Sequence, residues 1–472
     1  MIKEKPLLNR ILSFSIGPIG LAALSLLSVP LTAWIFPPEI IGKMNFVVMF
    51  SSFCLLVLSL GLDQAYVRFY YDEDDSPRLL MQTFLPGFIF LSAVMSVFVL
   101  LFPWSQGWFG VEGLVPMLII VTYAILLFIY RSSSMILRME SKGWLFSITQ
   151  ISIKLITVLV LLYYSYFLSE KAFIWLLLAQ IMGVLFAVVV SVIVTRKEWL
   201  LAMKAKFNKS FQVELLKFSL PLVISGLSFW CMTSLDRVFI KHYLGFDSLG
   251  IYSVAISFSG VVLVLQSVFS TIWAPMVYEW AAKGKGLENV DAVTRWMTFA
   301  IGSLFSLAGL LSWLLPYILP TEYASVEFLL VACVAYPLFY TLSEVTVVGI
   351  NLAKKTKFIM IGSVLALLIN ISLNYILVPA YGLKGAASAT AISFWCFLII
   401  RTELSCYFWK KLPRASIYLV STCCLVLSVM HVFFAKLYFK EFMILWLVFG
   451  LALVAKSFVY FRKQRSLWVI DK

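Results

Sequence analysis

About fourteen stretches of some twenty apolar residues run through this 472-residue chain, and no other feature limits its fold as strongly. They cover 14–36, 46–62, 80–103, 114–137, 145–167, 172–194, 218–240, 249–273, 296–319, 325–350, 358–378, 383–409, 415–437 and 441–461. At about 1.5 Å per residue, twenty helical residues match the roughly 30 Å hydrocarbon core of a bilayer. Lipid satisfies no backbone groups, so only helices or closed barrels span it, and unbroken apolar runs of this length select the helix. The expected fold is an all-α polytopic membrane protein with about fourteen transmembrane helices. Composition agrees: 62% of the residues are hydrophobic and 13% charged, against about 45–50% and 25% in soluble domains. A soluble enzyme, a secreted disulfide scaffold and a disordered protein are excluded. The first stretch is longer than a signal-peptide core and lacks a small-residue cleavage site, so it is expected to remain in the mature chain.

A net charge of +14 could suggest nucleic acid, but in a membrane chain its distribution decides. With the N-terminus cytoplasmic, 29 of the 37 Lys and Arg residues fall on inner segments. Seven fall outside: Lys43, Lys171, Arg237, Lys241, Lys384, Lys436 and Lys440, while Lys154 lies within a span. A single misplaced span would scramble that asymmetry in every later loop. Both termini are therefore expected to be cytoplasmic, and no nucleic-acid partner is expected. Trp34, Trp104, Trp108, Trp144 and Trp175 fall at span ends, where interfacial anchoring accounts for them.

Spans one to six and seven to twelve read as two copies at an offset of about 210 residues. Phe36-Pro37-Pro38-Glu39-Ile40-Ile41-Gly42 parallels Leu244-Gly245-Phe246-Asp247-Ser248-Leu249-Gly250, and Phe128-Ile129-Tyr130 parallels Leu338-Phe339-Tyr340. Lys142 falls near Lys354 in the loops that follow. An even number of spans per copy gives both copies one orientation, as in transporters with parallel repeats. The expected organisation is a six-helix bundle over 1–194, a basic cytoplasmic linker over 195–217, a second bundle over 218–409, and two further helices with a basic tail over 410–472.

No GxxxxGK[ST] phosphate loop, GxSxG elbow or HExxH motif occurs. The outer loops are too short to form a catalytic domain, so no enzyme activity is expected. The seven Cys lie in or beside apolar runs without metal-ligand spacing, and His242 and His431 are the only histidines. Neither a metal centre nor a cofactor is expected. Any site must come from polar residues in the spans.

Lys154 lies near the middle of its span, with Gln150 a turn earlier and Thr157 a turn later on one face. An ammonium there either attracts a phosphate or acidic sugar into an aqueous path, or serves packing by pairing or snorkelling. Arg131 and Glu344 lie at similar inner depths of spans four and ten, as an ion pair across the repeats or as two separate snorkelling groups. Asp236 and Arg237 point about 100° apart on a helix, so each needs another partner. Asn370 and Asn374 share a face of span eleven, where they bind either a sugar or a neighbouring helix. Arg68 follows Gly61, Asp63 and Gln64 at the inner end of span two, and the run Asp72-Glu73-Asp74-Asp75 reads as a solvated loop.

From Lys354 to Ser393 the chain reads KKTKFIMIGSVLALLINISLNYILVPAYGLKGAASATAIS. Its Asn-x-x-x-Asn, Leu-Val-Pro and Gly-x-x-Gly-Ala-Ala-x-Ala-Thr pattern resembles the polysaccharide transporter family, which includes Wzx-type O-antigen flippases. Leu235-Asp236-Arg237-Val238-Phe239-Ile240 with Gly250-Ile251-Tyr252 is similar to that family's seventh and eighth spans, and Gly61-Leu62-Asp63-Gln64-Ala65 through Arg68 to its second. The resemblance implies the superfamily of multidrug and oligosaccharidyl-lipid exporters, with two six-helix (MATE-like) bundles in a V around a cationic cavity. It implies a flippase that carries undecaprenyl-pyrophosphate-linked oligosaccharide across the bacterial cytoplasmic (inner) membrane by alternating access. Membrane lipids, a coupling ion (H+ or Na+) and polysaccharide polymerase and ligase machinery are the expected partners. Asp236, Arg237 and Arg68 match the family motifs, whereas Lys154, Arg131 and Glu344 rest on physical reasoning alone. The alternatives are an ion-coupled drug exporter of the same superfamily and, from another class, a membrane glycan polymerase or ligase.

Overall fold

The structure, a computed structural model, describes residues 7–73, 75–101, 107–167, 172–284, 289–355 and 357–468. Lys3, Lys5, Asp74, Trp104, Lys171, Lys285 and Lys472 lie outside them. Among the described residues all regular structure is helical, and eleven helices are long and apolar enough to cross a bilayer. The chain forms two compact units, Met1–Trp230 and Cys231–Lys472.

In the first unit α1 (Leu7–Ile35) is followed by α2 (Pro38–Leu58), which opens on a proline, where a missing N–H costs nothing. Leu60 and Gly61 then both take positive φ, 55° and 66°, and turn the chain into the short amphipathic α3 (Leu62–Phe69). Gly61 is required here for space as well, because a Cβ would lie 2.7 Å from the Ser219 carbonyl oxygen. Asp75 caps α4 (Ser76–Leu100) by accepting from the Arg78 N–H at 3.0 Å. There follow α5 (Leu114–Met139), α6 (Gly143–Phe167), α7 (Phe173–Val194) and α8 (Arg196–Ala202). The long α9 (Lys209–Lys283) begins in this unit.

Small residues let α6 pack closely on both sides, as expected where lipid supplies no hydrophobic drive between helices. Against α1, the Gly17 N–H donates to Ser147 Oγ at 3.0 Å. Against α7, a Cβ on Gly183 would lie 2.3 Å from the Ile153 carbonyl oxygen and 2.6 Å from Thr157 Oγ1. The same Thr157 hydroxyl donates to Ile153 O at 2.8 Å and reaches Ala179 O at 3.3 Å. Thus Thr157, expected on the Lys154 face, is used to join two helices. Gly183→Ala should lower stability by about 1–3 kcal/mol, the cost of overpacking. It would be read as a lower melting temperature in detergent, and an unchanged melt would mean the helices separate freely.

In the second unit α9 breaks at Gly245 (φ 83°, ψ −176°). Then come α10 (Asn289–Leu311), α11 (Leu315–Ile318), α12 (Val326–Cys333), α13 (Ala335–Leu352) and α14 (Lys357–Phe408), the last broken at Gly382 (φ 59°, ψ −136°). Each break falls in a gap between apolar runs of the sequence. One cap closes a helix in each unit: Ser141 after α5 and Lys354 after α13 both take positive φ. The next N–H then reaches back five residues, Lys142 to Leu137 O at 2.9 Å and Lys355 to Ile350 O at 3.1 Å. The C-terminal pair, α15 (Arg414–Phe434) and α16 (Phe439–Trp468), packs on α10. A Cβ on Gly309 would meet the Trp446 ring at 2.6 Å, and Ser306 Oγ donates to Trp446 O at 2.5 Å.

Candidate functional site

Lys154 lies near the middle of α6, about 16 Å from its start at the usual helical rise. It is partly buried and, among the described residues, makes no ion pair or hydrogen bond. One turn earlier, Gln150 packs toward Gly17 of α1, and its buried Oε1 has no hydrogen-bond partner. A cationic head and an unfilled amide acceptor therefore share the middle of this helix. Among the described residues the Lys154 head has no fixed protein partner to displace, whereas the Gln150 oxygen lies within the contact with α1.

Arg131 and Glu344 each find a partner inside their own unit. The Arg131 guanidinium is paired with the Asp63 carboxylate on α3. The two line a cavity of about 20 Å³, room for about one water, together with Ser59, Tyr66, Thr83 and Ser132. The Tyr66 hydroxyl is buried there without a partner. Glu344 accepts from Arg401 Nη1 at 2.8 Å, and the same guanidinium reaches Ser343 Oγ at 3.2 Å. Arg401 is 7% exposed and lies over the Phe397 ring at 4.1 Å, with Tyr340 at 5.5 Å. Each ion pair therefore lies within one unit, and the pairing of Arg131 with Glu344 is not formed. Arg68 is an exposed residue at the end of α3, paired with Asp72 of the acidic run.

Asp236 is 2% exposed and is the most fully enclosed of the candidate charges. Three donors converge on its carboxylate from three helical segments. Oδ1 accepts the Arg237 backbone N–H at 2.8 Å; Oδ2 accepts the Tyr252 hydroxyl at 2.5 Å and the Thr390 hydroxyl at 3.3 Å. Tyr252 follows the Gly245 break and Thr390 follows the Gly382 break, so both helical turns serve to bring these hydroxyls to one carboxylate. The Arg237 side chain is partly buried, with an unpartnered Nε.

Asn370 and Asn374 bond each other along α14 instead of reaching across to another helix. Asn374 Nδ2 donates to Asn370 O at 3.0 Å and to Asn370 Oδ1 at 3.2 Å. Both are fully buried, and Asn370 Nδ2 and Asn374 Oδ1 remain unpartnered. Asp63, Tyr252, Thr390 and Arg401 were not among the sequence candidates, yet each is the direct partner of one. Arg401 had a signal: Phe397 one turn earlier and Tyr340-x-x-x-Glu344 each form an i, i+4 pair of the right chemistry. Among the described residues no group of three His, Cys, Asp or Glu side chains is placed to hold a metal ion.

The family described as "Polysaccharide biosynthesis protein" matches residues 7–280, more than half of the chain. A Haemophilus influenzae protein named Lsg locus putative protein 1 is 25% identical over 58% of this chain and 66% of its own length. The probable low-salt glycan biosynthesis flippase Agl15 of Haloferax volcanii is 23% identical over 38% of this chain and 39% of its own. The chain thus spans less than two thirds of either relative. Among solved structures, the lipid II flippase MurJ in an inward closed conformation superposes with a TM-score of 0.69 at 16% identity. That likeness covers 96% of this chain and 99% of the other, and it shows a shared fold.

Proposed function

Because the chain belongs to the polysaccharide biosynthesis protein family, we propose that it flips a lipid-linked oligosaccharide across the membrane by alternating access and performs no covalent chemistry. The substrate is an undecaprenyl-pyrophosphate-linked repeat unit of a surface polysaccharide, moved from the cytoplasmic to the outer leaflet of the bacterial cytoplasmic membrane. The observation that carries this reading is Lys154, an ammonium in mid-helix without an anionic partner among the described residues. Holding such a charge inside the hydrocarbon region is costly, and a passing pyrophosphate or acidic sugar offsets that cost. Arg237 extends the cationic character toward the end of its span, while Arg131 and Arg68 join the path only when their Asp63 and Asp72 partners give way to the substrate. The amides of Gln150, Asn370 and Asn374 each hold a buried, unpartnered atom, so they meet sugar hydroxyls only in a state of the cycle that opens these packed faces. Asp236 is the seat of the coupling cation, H+ or Na+, and Glu344 orders Arg401. Polymerase and ligase enzymes take up the delivered unit.

Fourteen spans with both termini cytoplasmic fit this reading. Eleven helices qualify by length and apolarity; two of these, Lys209–Lys283 and Lys357–Phe408, break at glycine, and Ile19–Ile35 is a shorter apolar helix. Residues 1–194 and 218–409 are the two bundles, 195–217 the linker, and 410–472 the added pair with its tail.

The test is transport in proteoliposomes of a fluorescent undecaprenyl-pyrophosphate oligosaccharide, with leaflet exposure read by an impermeant quencher. Wild type should translocate it under a proton or sodium gradient, and Lys154→Ala should slow it about tenfold or more, as loss of one charge-assisted contact requires. Lys154→Arg should retain most of the rate. Translocation unaffected by Lys154→Ala would reduce that residue to packing. No translocation under either gradient would favour an ion-coupled exporter of small molecules.

A further inference from the structure

The short α8 and the residues up to Lys209 join two spanning helices, and one face of α8 is fixed to the first unit. Trp199 meets Phe84 edge-on at 4.8 Å and donates its Nε1–H to Thr195 Oγ1 at 3.1 Å. Ala202 joins the buried cluster of Leu62, Tyr66, Leu80 and Ile136. Glu198 accepts from Ser76 Oγ at 3.2 Å. Rotation of about 100° per residue then commits Leu200 and Leu201 to the opposite side of the helix. They are exposed at 53% and 52%, and in the turn and extended stretch that follow so are Met203 at 71% and Phe207 at 49%. Interleaved with them are the exposed cations Arg196, Lys197, Lys204, Lys206 and Lys209. Glu198, engaged with Ser76, is the only acidic residue between Arg196 and Val213.

We infer that this segment is a docking surface for the anionic phospholipid headgroups of the leaflet it borders. Only Thr195 separates α8 from the end of α7 at Val194, so α8 is held at the level where a spanning helix leaves the membrane. A solvated loop would have no use for four large exposed apolar side chains in eight residues. A helix lying in the interface does: the apolar groups enter the acyl boundary while the ammonium and guanidinium groups collect lipid phosphates. Clusters of four to eight cations beside a spanning helix have that preference for anionic lipid. An acidic soluble partner would match the cations but leave the apolar groups in water. This inference rests on membrane insertion alone and is independent of the transported substrate.

The experiment titrates delipidated full-length protein in neutral detergent with phosphatidylglycerol or phosphatidylcholine and counts bound lipid by native mass spectrometry. Wild type should bind phosphatidylglycerol about tenfold more tightly or better, with the preference falling as salt rises. The variant Lys197→Gln/Lys204→Gln/Lys206→Gln/Lys209→Gln should lose that preference while eluting as a single gel-filtration peak. Leu200→Ser/Leu201→Ser/Met203→Ser should weaken binding of both lipids. Equal retention of phosphatidylglycerol by wild type and the four-Lys variant would overturn the assignment. So would displacement of the lipid by millimolar inorganic phosphate, which would mark a simple anion site.

Discussion

Glu344→Ala should destabilise the protein by about 3 kcal/mol, seen as earlier loss of the monodisperse peak when heated samples are run on a fluorescence-detected gel-filtration column. The substitution leaves Arg401 where it is, 7% exposed against Phe397 and Tyr340, with Ser343 Oγ as its remaining polar contact among the described residues. Removing one member of a buried ion pair costs about 3–5 kcal/mol because the other charge is stranded. The Glu344 side chain is 21% exposed, so water reaches the vacated space and holds the cost near the lower end. Replacing both partners with apolar residues, Glu344→Leu/Arg401→Met, should recover part of the loss, because the stranded charge is gone while the Tyr340 hydroxyl still lacks its Glu344 acceptor. A single variant that melts with wild type would show the pair to be ornamental. A double variant as unstable as the single one would place the cost in shape and not in charge. Transport by the stable double variant would then separate any role of Glu344 on the substrate path from its role in holding Arg401.

The polytopic helical fold was legible because it is written in one dimension. A run of twenty apolar residues declares a span by itself, and Gly245 and Gly382 mark turns because the polar and glycine-bearing stretches around them interrupt such runs. The caps set Ser141 against Lys354 and so Lys142 against Lys355, one residue on from the Lys354 to which the sequence spacing matches it. Partnerships were not legible in this way. Helical periodicity says which face a residue occupies but not which helix lies opposite, so depth alone leaves Arg131 and Glu344 as either a pair or two separate snorkelling groups. The structure instead gives each a partner from its own unit, Asp63 and Arg401. Asp236 shows the same limit: its need for partners followed from its angle to Arg237, yet Tyr252 and Thr390 reach it only through two chain reversals, sixteen and 154 residues away. Thr157 failed for a related reason. Its spacing put it near the face of Lys154, but the Gly183 notch draws α7 so close that the hydroxyl is taken up in helix packing.

Asp236→Asn should abolish gradient-driven accumulation of the transported lipid while leaving the fold and slow equilibration between leaflets intact. The carboxylate accepts three hydrogen bonds and, among the described residues, has no ion pair within 4 Å, so its charge is held by those donors together with the field of the neighbouring Arg237 guanidinium. That arrangement can take up a proton or a small monovalent cation and release it again without breaking a salt bridge. An amide of the same shape keeps one acceptor oxygen for the Arg237 N–H, and the Tyr252 and Thr390 hydroxyls can turn to accept from its NH2 group. The packing therefore survives at a cost of about 1 kcal/mol, but the negative charge on which a cation depends is gone. A potential of 100 mV acting on one transported charge is worth about 2.3 kcal/mol, or about fifty-fold in accumulation. That factor is what Asp236→Asn should remove in proteoliposomes energised with a proton or sodium gradient. Tyr252→Phe is the sharper companion, because it keeps the carboxylate and deletes its shortest bond. It should change the ion concentration needed for half-maximal transport while preserving the final accumulation. If Asp236→Asn still concentrates substrate as wild type does, the coupling cation resides elsewhere and this enclosed carboxylate is a structural clasp for the two broken helices.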